Sequence, residues 1–364
     1  MKALVQKNYA LPTETIMLIT RFCRIAYLHP MKVVIPLAGA GKRLRPFTYT
    51  QPKPMIPVAG KPIIGHIVDE LVSHGFADFV FILGYLGHEI RAFIDLRYPE
   101  LQRTFVHQQD RRGLGHAIWT AKDEFKNADG LLIVLGDLIF QHNFEAMMDS
   151  PTSELVTASV DDPREFGVVE TDGQDRIIKA VEKPRIPKSN RALVGIYKIL
   201  EVDALIDALD SIVEGNEMMH GELQLTSALQ KMIENDVIFK PRQVDQWFDC
   251  GRSDILLKTN ALLLKNCQKS RKDNRTWPSV VVIPPVYIGE NCHLESCIVG
   301  PNATIGNGTS ITSSVIKNSI IGTKTTIENV VLNDSVIGND STVIGFRQRL
   351  NIGDNTEIDL FQNG

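Results

Sequence analysis

The feature that most constrains the fold is a repeat in the C-terminal part of the chain. Beyond Pro284 an aliphatic residue recurs every five or six positions, and glycine, asparagine, serine and threonine fill the intervals. A six-residue period fits neither an α-helix nor a flat strand. It is typical of hexapeptide repeats, and we predict a short left-handed parallel β-helix whose coils each point aliphatic side chains inward. The predicted inward positions are Ile288, Leu294, Val299, Ile305, Ile311, Ile316, Ile321, Ile327, Leu332, Ile337 and Val343.

The preceding part of the chain has a different pattern, in which short β-branched runs alternate with helical periodicity. The first predicted strand covers residues 33–37, and the run 131–135 is apolar throughout, as in a strand buried on both faces of a parallel sheet. Beyond Pro151 the segments 167–171 and 177–181 flank a turn and predict an antiparallel hairpin. Strands alternating with helices predict a three-layer α/β domain with right-handed crossovers.

These patterns divide a chain that is too long, at 364 residues, for one ordinary domain. We expect an extension without fixed structure at residues 1–30, the α/β domain at 31–267, a linker at 268–283, the β-helix at 284–353 and a tail at 354–364.

Charge and composition exclude several classes of protein. Lysine and arginine number 39 against 43 acidic residues, so no global positive field exists to hold nucleic acid or an anionic membrane. No apolar run is long enough to span a bilayer, and two arginines interrupt the apolar segment at 16–28, so we predict no cleavable signal. Five cysteines without a C-x-x-C spacing argue against disulfides and zinc. We therefore expect a cytoplasmic protein without nucleic-acid or membrane partners.

The first predicted strand leads into a glycine-rich turn, residues 37–46, with the sequence LAGAGKRLRP. Glycines let the backbone approach a phosphate closely, and successive N–H groups there form an anion-binding concavity. The turn is not a P-loop, because no G-K-[S/T] closes it, and Leu44 replaces the third glycine of a dinucleotide fingerprint. Phosphate binding is therefore predicted, with an ordinary βα turn carrying solvated cations as the alternative.

Residues 48–62, TYTQPKPMIPVAGKP, extend this motif. Together the two segments resemble the sugar nucleotidylyltransferases, which join a sugar 1-phosphate to a nucleoside triphosphate. The family signature of a glycine-rich turn, Arg-Leu-x-Pro-x-Thr, Pro-Lys-Pro and Pro-Val-x-Gly-Lys-Pro is matched from Gly39 to Pro62, although Lys42 stands where the family often has threonine or a small residue. The resemblance runs from Met31 to about Asn266 and implies a Rossmann-like nucleotidyltransferase domain.

The resemblance implies roles for residues of the turn. One anionic phosphate must attack another in line, so charge has to be cancelled and the reactants aligned. Arg43 would bridge the triphosphate and stabilise charge at the α-phosphorus, a role suited to its planar fork. Lys53, held between two prolines, would bind phosphate oxygens; its alternative is a solvated loop lysine. The implied nucleotide-binding residues are Leu37, Ala38, Gly39, Gly41, Gln108 and Gly113.

Two aspartates are candidate ligands of Mg²⁺. Asp137 follows the buried run 131–135, at the strand end where α/β sheets place their ligands. Magnesium prefers one or two carboxylates together with phosphate and water oxygens. Asp249 would be the second, because residues 247–251 resemble the family's Trp-x-Asp-x-Gly segment. Each aspartate could alternatively be a helix cap or a turn former.

The resemblance also implies contacts to the base. Gln108 offers both a donor and an acceptor to a pyrimidine edge, and Gly113 leaves room for it. His116 opens a predicted helix, and we assign it a packing or capping role without chemistry.

For the sugar phosphate, the triplet Glu182-Lys183-Pro184 resembles the family's binding segment. Lys183 would neutralise the phosphate, Glu182 would accept hydrogen bonds from hydroxyls, and Gly167 would approach by its backbone. The alternative is a turn with a surface ion pair. Glu222 is a weaker candidate, and Ser227 replaces an aspartate that is frequent in the family.

We therefore expect a magnesium-dependent transferase that makes a nucleotide sugar and pyrophosphate from glucose 1-phosphate and dTTP or UTP. The repeats, a feature of longer thymidylyltransferase-like members, favour dTTP. The alternatives are another sugar-1-phosphate nucleotidyltransferase, a bifunctional acyltransferase and a non-catalytic regulatory subunit. An acyltransferase would need a longer β-helix and usually a catalytic histidine, whereas His293 is the only histidine there. Exposed coil ends associate, so a homo-oligomer through residues 284–350 is predicted.

Overall fold

The computed structural model describes residues 30–267 and 277–346, and these form two compact units. The first unit contains residues 30–57 and 61–256, and the second contains the remaining described residues. The predicted N-terminal extension up to residue 29, the linker at 268–276, and the end of the β-helix with the tail lie outside the described residues. Within the described ranges, no helix is both long and apolar enough to cross a membrane.

The first unit is built on one mixed sheet. The strands between residues 30 and 256 are Lys32–Leu37 (β1), Pro57–Val58 (β2), Lys61–Pro62 (β3), Asp78–Leu83 (β4), Gln102–His107 (β5), Leu131–Val134 (β6), Leu138–Gln141 (β7), Ser153–Ser159 (β8), Gly167–Thr171 (β9), Ile177–Glu182 (β10), Arg191–Ile199 (β11), Phe239–Gln243 (β12) and Gln246–Asp249 (β13). Nine of them pair in the order β5-β4-β1-β6-β11-β8-β12-β10-β9, while β7 and β13 form a separate ladder. The parallel half, β5-β4-β1-β6, directs its carboxyl ends to one edge.

Helices cover this sheet. They are Ile63–Ser73 (α1), Gly87–Arg97 (α2), Leu114–Thr120 (α3), Phe144–Met148 (α4), Val202–Glu214 (α5), Leu225–Glu234 (α6) and Ser253–Cys267 (α7), the last of which runs on into the second unit. All four residues of β6 are fully buried, as their continuous apolar run predicts. One core cluster joins strand residues such as Ile133 to Ile118, Leu209 and Leu229 of three helices. The predicted three-layer α/β fold is confirmed.

One predicted helix is shorter than its sequence pattern. The helical periodicity of residues 115–125 predicts one helix, but α3 ends at Thr120 and a separate 3₁₀ turn follows at Lys122–Glu124. The Thr120 hydroxyl donates to the carbonyl of His116 at 2.8 Å, a back-bond that bends helices. The predicted hairpin is present, since β9 and β10 pair antiparallel with Gly167 opposite Glu182.

The second unit contains the coils of a left-handed parallel β-helix, as predicted. Its strands are Val280–Val282 (β14), Val286–Ile288 (β15), His293–Glu295 (β16), Cys297–Val299 (β17), Ala303–Ile305 (β18), Ser310–Thr312 (β19), Val315–Lys317 (β20), Ile320–Ile321 (β21), Thr326–Glu328 (β22), Val331–Asn333 (β23), Val336–Ile337 (β24) and Thr342–Ile344 (β25). They form three parallel sheets of four strands. The predicted inward positions are buried from Ile288 to Ile327, while Leu332 and Ile337 are half-buried.

The stack begins earlier than the repeat suggests. Strand β14 pairs in register with β17, Val281 opposite Ile298, although its residues fall in the predicted linker. Residues 280–282 of the predicted linker therefore form a strand that pairs with the coils. Pro284 and Pro285 separate β14 from the first regular repeat, and prolines cannot donate to a strand ladder, so they obscure the pattern.

A buried histidine in the first unit makes stability depend on pH. His142 is 6% exposed, and among the described residues neither of its ring nitrogens has a hydrogen-bond partner. Burial lowers the pKa of His142 to about 4, below its ordinary value of 6.5. The unfolded chain therefore binds this proton at a higher pH than the folded chain, and stability falls as pH drops from 6.5 towards 4.

His142→Met is expected to weaken this acid sensitivity. From pH 7 to pH 5 the wild type should lose about 2 kcal/mol of unfolding free energy through this group, and the variant should not. Methionine is close to histidine in volume and adapts to irregular space. Urea unfolding at both pH values measures the difference, and an equal loss in both proteins would contradict the expectation.

Candidate active site

A cleft of about 670 Å³ opens in the first unit at the carboxyl ends of β1 and β6. This is where open α/β sheets place ligands. It is lined by every residue predicted to be catalytic or nucleotide-binding and by one predicted metal ligand: Leu37, Ala38, Gly39, Gly41, Arg43, Lys53, Gln108, Gly113 and Asp137. Glu222, the weaker sugar candidate, lines it as well. The glycine-rich turn and the later motifs therefore meet in one place.

The glycine-rich turn is fixed by short contacts that its sequence explains. Gly41 has a φ of 60°, and a Cβ there would lie 2.9 Å from Cγ2 of Thr48. The Thr48 hydroxyl donates to the Gly41 carbonyl at 2.9 Å. By contrast, a Cβ on Gly39 would meet no atom within 4 Å, so this part of the turn faces open space. Gly41 is thus needed for packing, and Gly39 leaves room for a ligand.

Positive charge dominates the cleft. Its cationic lining residues are Lys42, Arg43, Arg45, Lys53 and Arg111, and its acidic ones are Asp137 and Glu222. Two of the arginines stack on tyrosines, Arg45 at 4.8 Å from the Tyr49 ring centre and Arg111 at 5.7 Å from that of Tyr85. Such an excess of cations suits a polyanion such as a triphosphate.

Asp137 and Asp249 converge, although they are far apart in sequence. Strands β7 and β13 pair antiparallel with Asp249 opposite Leu138, and the Cys250 N–H donates to the Asp137 carbonyl at 3.0 Å. Lys53 Nζ lies 2.6 Å from Oδ2 of Asp137 and 3.8 Å from Oδ1 of Asp249. Both carboxylates are therefore within ion-pair distance of a single ammonium group.

The surroundings disfavour charge on Asp249. Burial, followed by the neighbouring charge of Asp137, raises the pKa of the Asp249 carboxyl, while Lys53 and Arg43 oppose the shift. Gly251 allows this crowding, because a Cβ there would lie 2.8 Å from Oδ1 of Asp249. Two carboxylates that repel each other in a partly buried site favour a bound cation. In the described residues, no group of three or more His, Cys, Asp or Glu side chains is arranged to hold a metal.

Gln108 is buried with its amide nitrogen already occupied. Its Nε2 donates to the Gly113 carbonyl at 3.2 Å and lies 3.0 Å from Nδ1 of His116. Gly113 has a φ of 112°, and a Cβ there would lie 2.6 Å from the Leu223 carbonyl oxygen. The structure therefore gives this glycine a packing requirement that the sequence does not reveal.

The predicted sugar-phosphate residues form a second group. Gly167 pairs with Glu182 across the hairpin, and the Thr226 hydroxyl donates to Oε2 of Glu182 at 2.7 Å. Lys183 Nζ lies 4.0 Å from Oε1 of Glu182. In the part of the chain that the structure describes, Gly167, Glu182 and Lys183 lie outside the lining of the cleft.

Tyr197 connects the two groups electrostatically. The charges of Glu182 and Asp137 both add to burial in raising the pKa of the Tyr197 phenol. Sequence reasoning missed this residue, because a tyrosine in a buried strand shows no distinguishing pattern. It also missed Arg111, which could have been found as a cation two residues before Gly113.

Comparison with known proteins identifies the family. The model of the nucleotidyl transferase family matches residues 32–266. The nucleotidyltransferase Agl11 of low-salt glycan biosynthesis from Haloferax volcanii is 32% identical over 254 residues, 68% of this chain and 69% of that protein. A glucose-1-phosphate thymidylyltransferase from Streptomyces antibioticus is 31% identical, over 79% of this chain and 81% of that protein.

Further matches extend this picture. The bifunctional protein GlmU of Methanococcus maripaludis is 33% identical, over 66% of this chain but only 56% of that longer protein. A solved UDP-glucose pyrophosphorylase in complex with UDP-glucose superposes with a TM-score of 0.57 at 22% identity, over 65% of this chain and 99% of that one, which supports the fold. The chain belongs to the nucleotidyl transferase family and, as its motifs predict, is an enzyme of the sugar nucleotidyltransferase group.

Proposed function

We propose that this enzyme transfers a nucleotidyl group from dTTP or UTP to glucose 1-phosphate and releases pyrophosphate. The observation that carries the proposal is the convergence of Asp137 and Asp249 on Lys53, at a cleft that is lined by Lys53, Asp137 and the glycine-rich turn with its cations. Such a cleft provides the opposite charge needed to bring two anionic phosphates together.

The two aspartates fit a magnesium ion. Both supply carboxylate oxygens, the ligands that Mg²⁺ prefers, and phosphate and water oxygens would complete its shell. Burial, and after it the charge of Asp137, raises the pKa of the Asp249 carboxyl, and a bound cation would favour its charged form. We propose that Asp137 and Asp249 hold this ion; when bound, it would neutralise charge on phosphate oxygens and help to align them.

The chain's own residues would do the remaining work. Arg43 lies in the glycine-rich turn, and its planar guanidinium can bind two phosphate oxygens at once as charge develops at the α-phosphorus. Lys53 would hold oxygens of either phosphate group as a compact positive charge. Gly39 would admit the triphosphate to the backbone N–H groups of the turn. No covalent intermediate on the protein is required.

The hydrogen bonds of Gln108 support a pyrimidine base that carries a ring N–H. Its two amide hydrogens have partners in Gly113 and His116, which leaves Oε1 as an acceptor for a base. Thymine and uracil present an N–H at position 3, whereas cytosine presents an acceptor there. The name of the Streptomyces antibioticus relative supports dTTP and glucose 1-phosphate in particular.

For the sugar phosphate we propose Gly167, Glu182 and Lys183. Glu182 is held by Thr226 and faces Gly167 in the sheet, so its carboxylate is fixed as an acceptor for hydroxyls. Lys183 is 43% exposed at its side chain, so its ammonium can reach an incoming phosphate.

An initial-rate matrix tests the function. Four nucleoside triphosphates, dTTP, UTP, dCTP and GTP, are paired with the 1-phosphates of glucose, glucosamine, N-acetylglucosamine and mannose, and pyrophosphate release is measured. We expect the highest kcat/KM for dTTP or UTP with glucose 1-phosphate. If another pair has the highest kcat/KM, the enzyme is a sugar-1-phosphate nucleotidyltransferase with a different substrate specificity. If no pair releases pyrophosphate above background, catalysis is refuted and the regulatory alternative is favoured. Acyl transfer to an amino sugar would instead favour the bifunctional alternative.

We also propose that the protein is a homo-oligomer associating through residues 284–350 of the β-helix. Within this range, one wall of the helix carries an outward aliphatic row in register, Ile298, Val315 and Val331, and Val331 is 74% exposed. Sedimentation velocity at micromolar concentration should show an oligomer that Val331→Glu shifts towards monomer. A monomeric wild type would refute this. The cytoplasmic location and the exact domain boundaries remain predictions.

A further inference from the structure

We propose that His116 is a positioning residue that fixes the side-chain amide of Gln108 and thereby makes the site selective for bases with a ring N–H. This inference rests on the proposed role of Gln108 in base binding. The sequence offered no chemical role for His116, which resembles a packing residue at the start of a helix. The structure places its Nδ1 3.0 Å from Nε2 of Gln108.

The hydrogen-bond partners determine which way the amide points. The Gly113 carbonyl can only accept, so the atom of Gln108 that lies 3.2 Å from it must be the NH₂ nitrogen. The same NH₂ group then meets Nδ1 of His116, which must also accept. The imidazole is therefore neutral, with its proton on Nε2. Oε1 of Gln108 is the amide atom left for a ligand.

The reverse orientation is disfavoured by the Gly113 carbonyl, and more strongly while His116 also accepts. A flipped amide would point its oxygen at the Gly113 carbonyl and at Nδ1, so that three acceptors would face one another in a buried site. Gln108 is 4% exposed and His116 is 8% exposed, so water has little access to repair the mismatch. Without Nδ1, one of the two hydrogen bonds that hold the amide is lost, and the flip becomes easier.

The surroundings keep His116 neutral and in place. Burial, followed by the charge of Arg112, lowers the pKa of His116, and Asp110 opposes the shift weakly. The Trp119 ring lies 5.5 Å from the imidazole, tilted by 30°. The first turn of α3 is anchored, because the Gly115 N–H donates to the Leu223 carbonyl at 2.8 Å. His116 is thus carried on a fixed element and not on a loose loop.

As a consequence, the site selects the base through a single hydrogen bond to Oε1 of Gln108. An acceptor held towards the base pairs with the N3–H of thymine or uracil and meets an acceptor in cytosine. Sites built to hydrogen-bond one group reject an analogue that lacks it far more strongly than apolar pockets reject a size change. If the amide can flip, its NH₂ can pair with cytosine instead, and selectivity decreases.

Two substitutions at one position test this. His116→Leu removes the acceptor at similar volume, and His116→Asn restores an amide oxygen near the position of Nδ1. We measure kcat/KM for dTTP and dCTP with glucose 1-phosphate, and thermal unfolding in parallel. His116→Leu should lower the dTTP/dCTP ratio at least tenfold, chiefly through KM for dTTP. His116→Asn should recover most of the ratio, which a purely structural role of histidine would not produce.

The outcomes separate this inference from the proposed function. Gln108→Leu is measured alongside, and it should abolish the preference for dTTP. If Gln108→Leu lowers the ratio and His116→Leu leaves it unchanged, the positioning role is refuted while base reading by Gln108 stands. If Gln108→Leu leaves the dTTP/dCTP ratio unchanged, base reading by Gln108 is refuted, and the positioning role of His116 is refuted with it. Equal ratios in His116→Leu and His116→Asn would also overturn the positioning role.

Discussion

Arg43→Met should lower kcat by about 10³-fold while leaving the protein folded. The guanidinium of Arg43 extends from the glycine-rich turn into the cleft and is exposed, so its loss should change the free energy of unfolding by less than about 0.5 kcal/mol. The loss in rate should arise because charge at the α-phosphorus is no longer met by a bidentate donor. Arg43→Lys should recover only part of it, since a point charge lacks the fork.

Lys42→Met is the matched control. Lys42 precedes Arg43 in the same turn, lines the same cleft and is also exposed, so both variants remove one positive charge from one place. We expect Lys42→Met to reduce kcat less than tenfold and mainly to raise KM for the nucleotide. Equal changes in kcat and KM in the two variants would show that Arg43 contributes only to the overall positive potential of the cleft. If kcat of Arg43→Met is within tenfold of the wild-type value, Arg43 does not act in the catalytic step.

Asp249→Asn should lower kcat by about 10²- to 10⁴-fold, in the range of metal contributions to phosphoryl chemistry. The substitution removes one of the two carboxylates that Lys53 and a divalent ion would share. It keeps the size of the side chain, so the strand pairing of Asp249 with Leu138 should persist. Asp254→Asn is the control, because Asp254 lies at the surface in an ion pair with Arg252 and should lose less than threefold.

The magnesium dependence of the rate separates a lost ligand from a damaged fold. If Asp249 binds the ion, Asp249→Asn should need a higher Mg²⁺ concentration for half-maximal rate, and excess Mg²⁺ should recover part of the activity. An unchanged magnesium dependence together with a low rate would assign the residue another role. Full activity in Asp249→Asn would exclude it from the site.

Much of the fold could be predicted because local patterns determine it. The continuous apolar run of β6 predicted a central strand, and the six-residue period predicted the coils. Strand β14 could not be predicted as part of the coils, because two prolines separate it from the repeats and, among the described strands, it pairs with β17 alone. Periodicity also does not encode side-chain bonds to the backbone, such as the one that Thr120 makes at the end of α3.

The residues of the candidate site likewise fall into those that local sequence predicted and those that it did not. The glycine-rich turn and Lys53 lie in one continuous motif, so their common location in the cleft followed from local sequence. The meeting of Asp137 with Asp249 depends on the β7–β13 ladder, and only the family resemblance indicated it. The partnership of Gln108 with His116 was missed, because residues on a strand end and a helix carry no sign of which amide atom is already bonded.

Binding of Mn²⁺, used as a paramagnetic probe for the Mg²⁺ site, tests most directly whether the two aspartates share one cation. Electron paramagnetic resonance titrations of the full chain would compare the wild type with Asp137→Asn, Asp249→Asn and the double variant. We predict one site in the wild type, at least tenfold weaker binding in each single variant, and little further loss in the double variant, because both substitutions remove the same ion. Wild-type affinity in either single variant, or two independent sites lost one at a time, would contradict the shared cation.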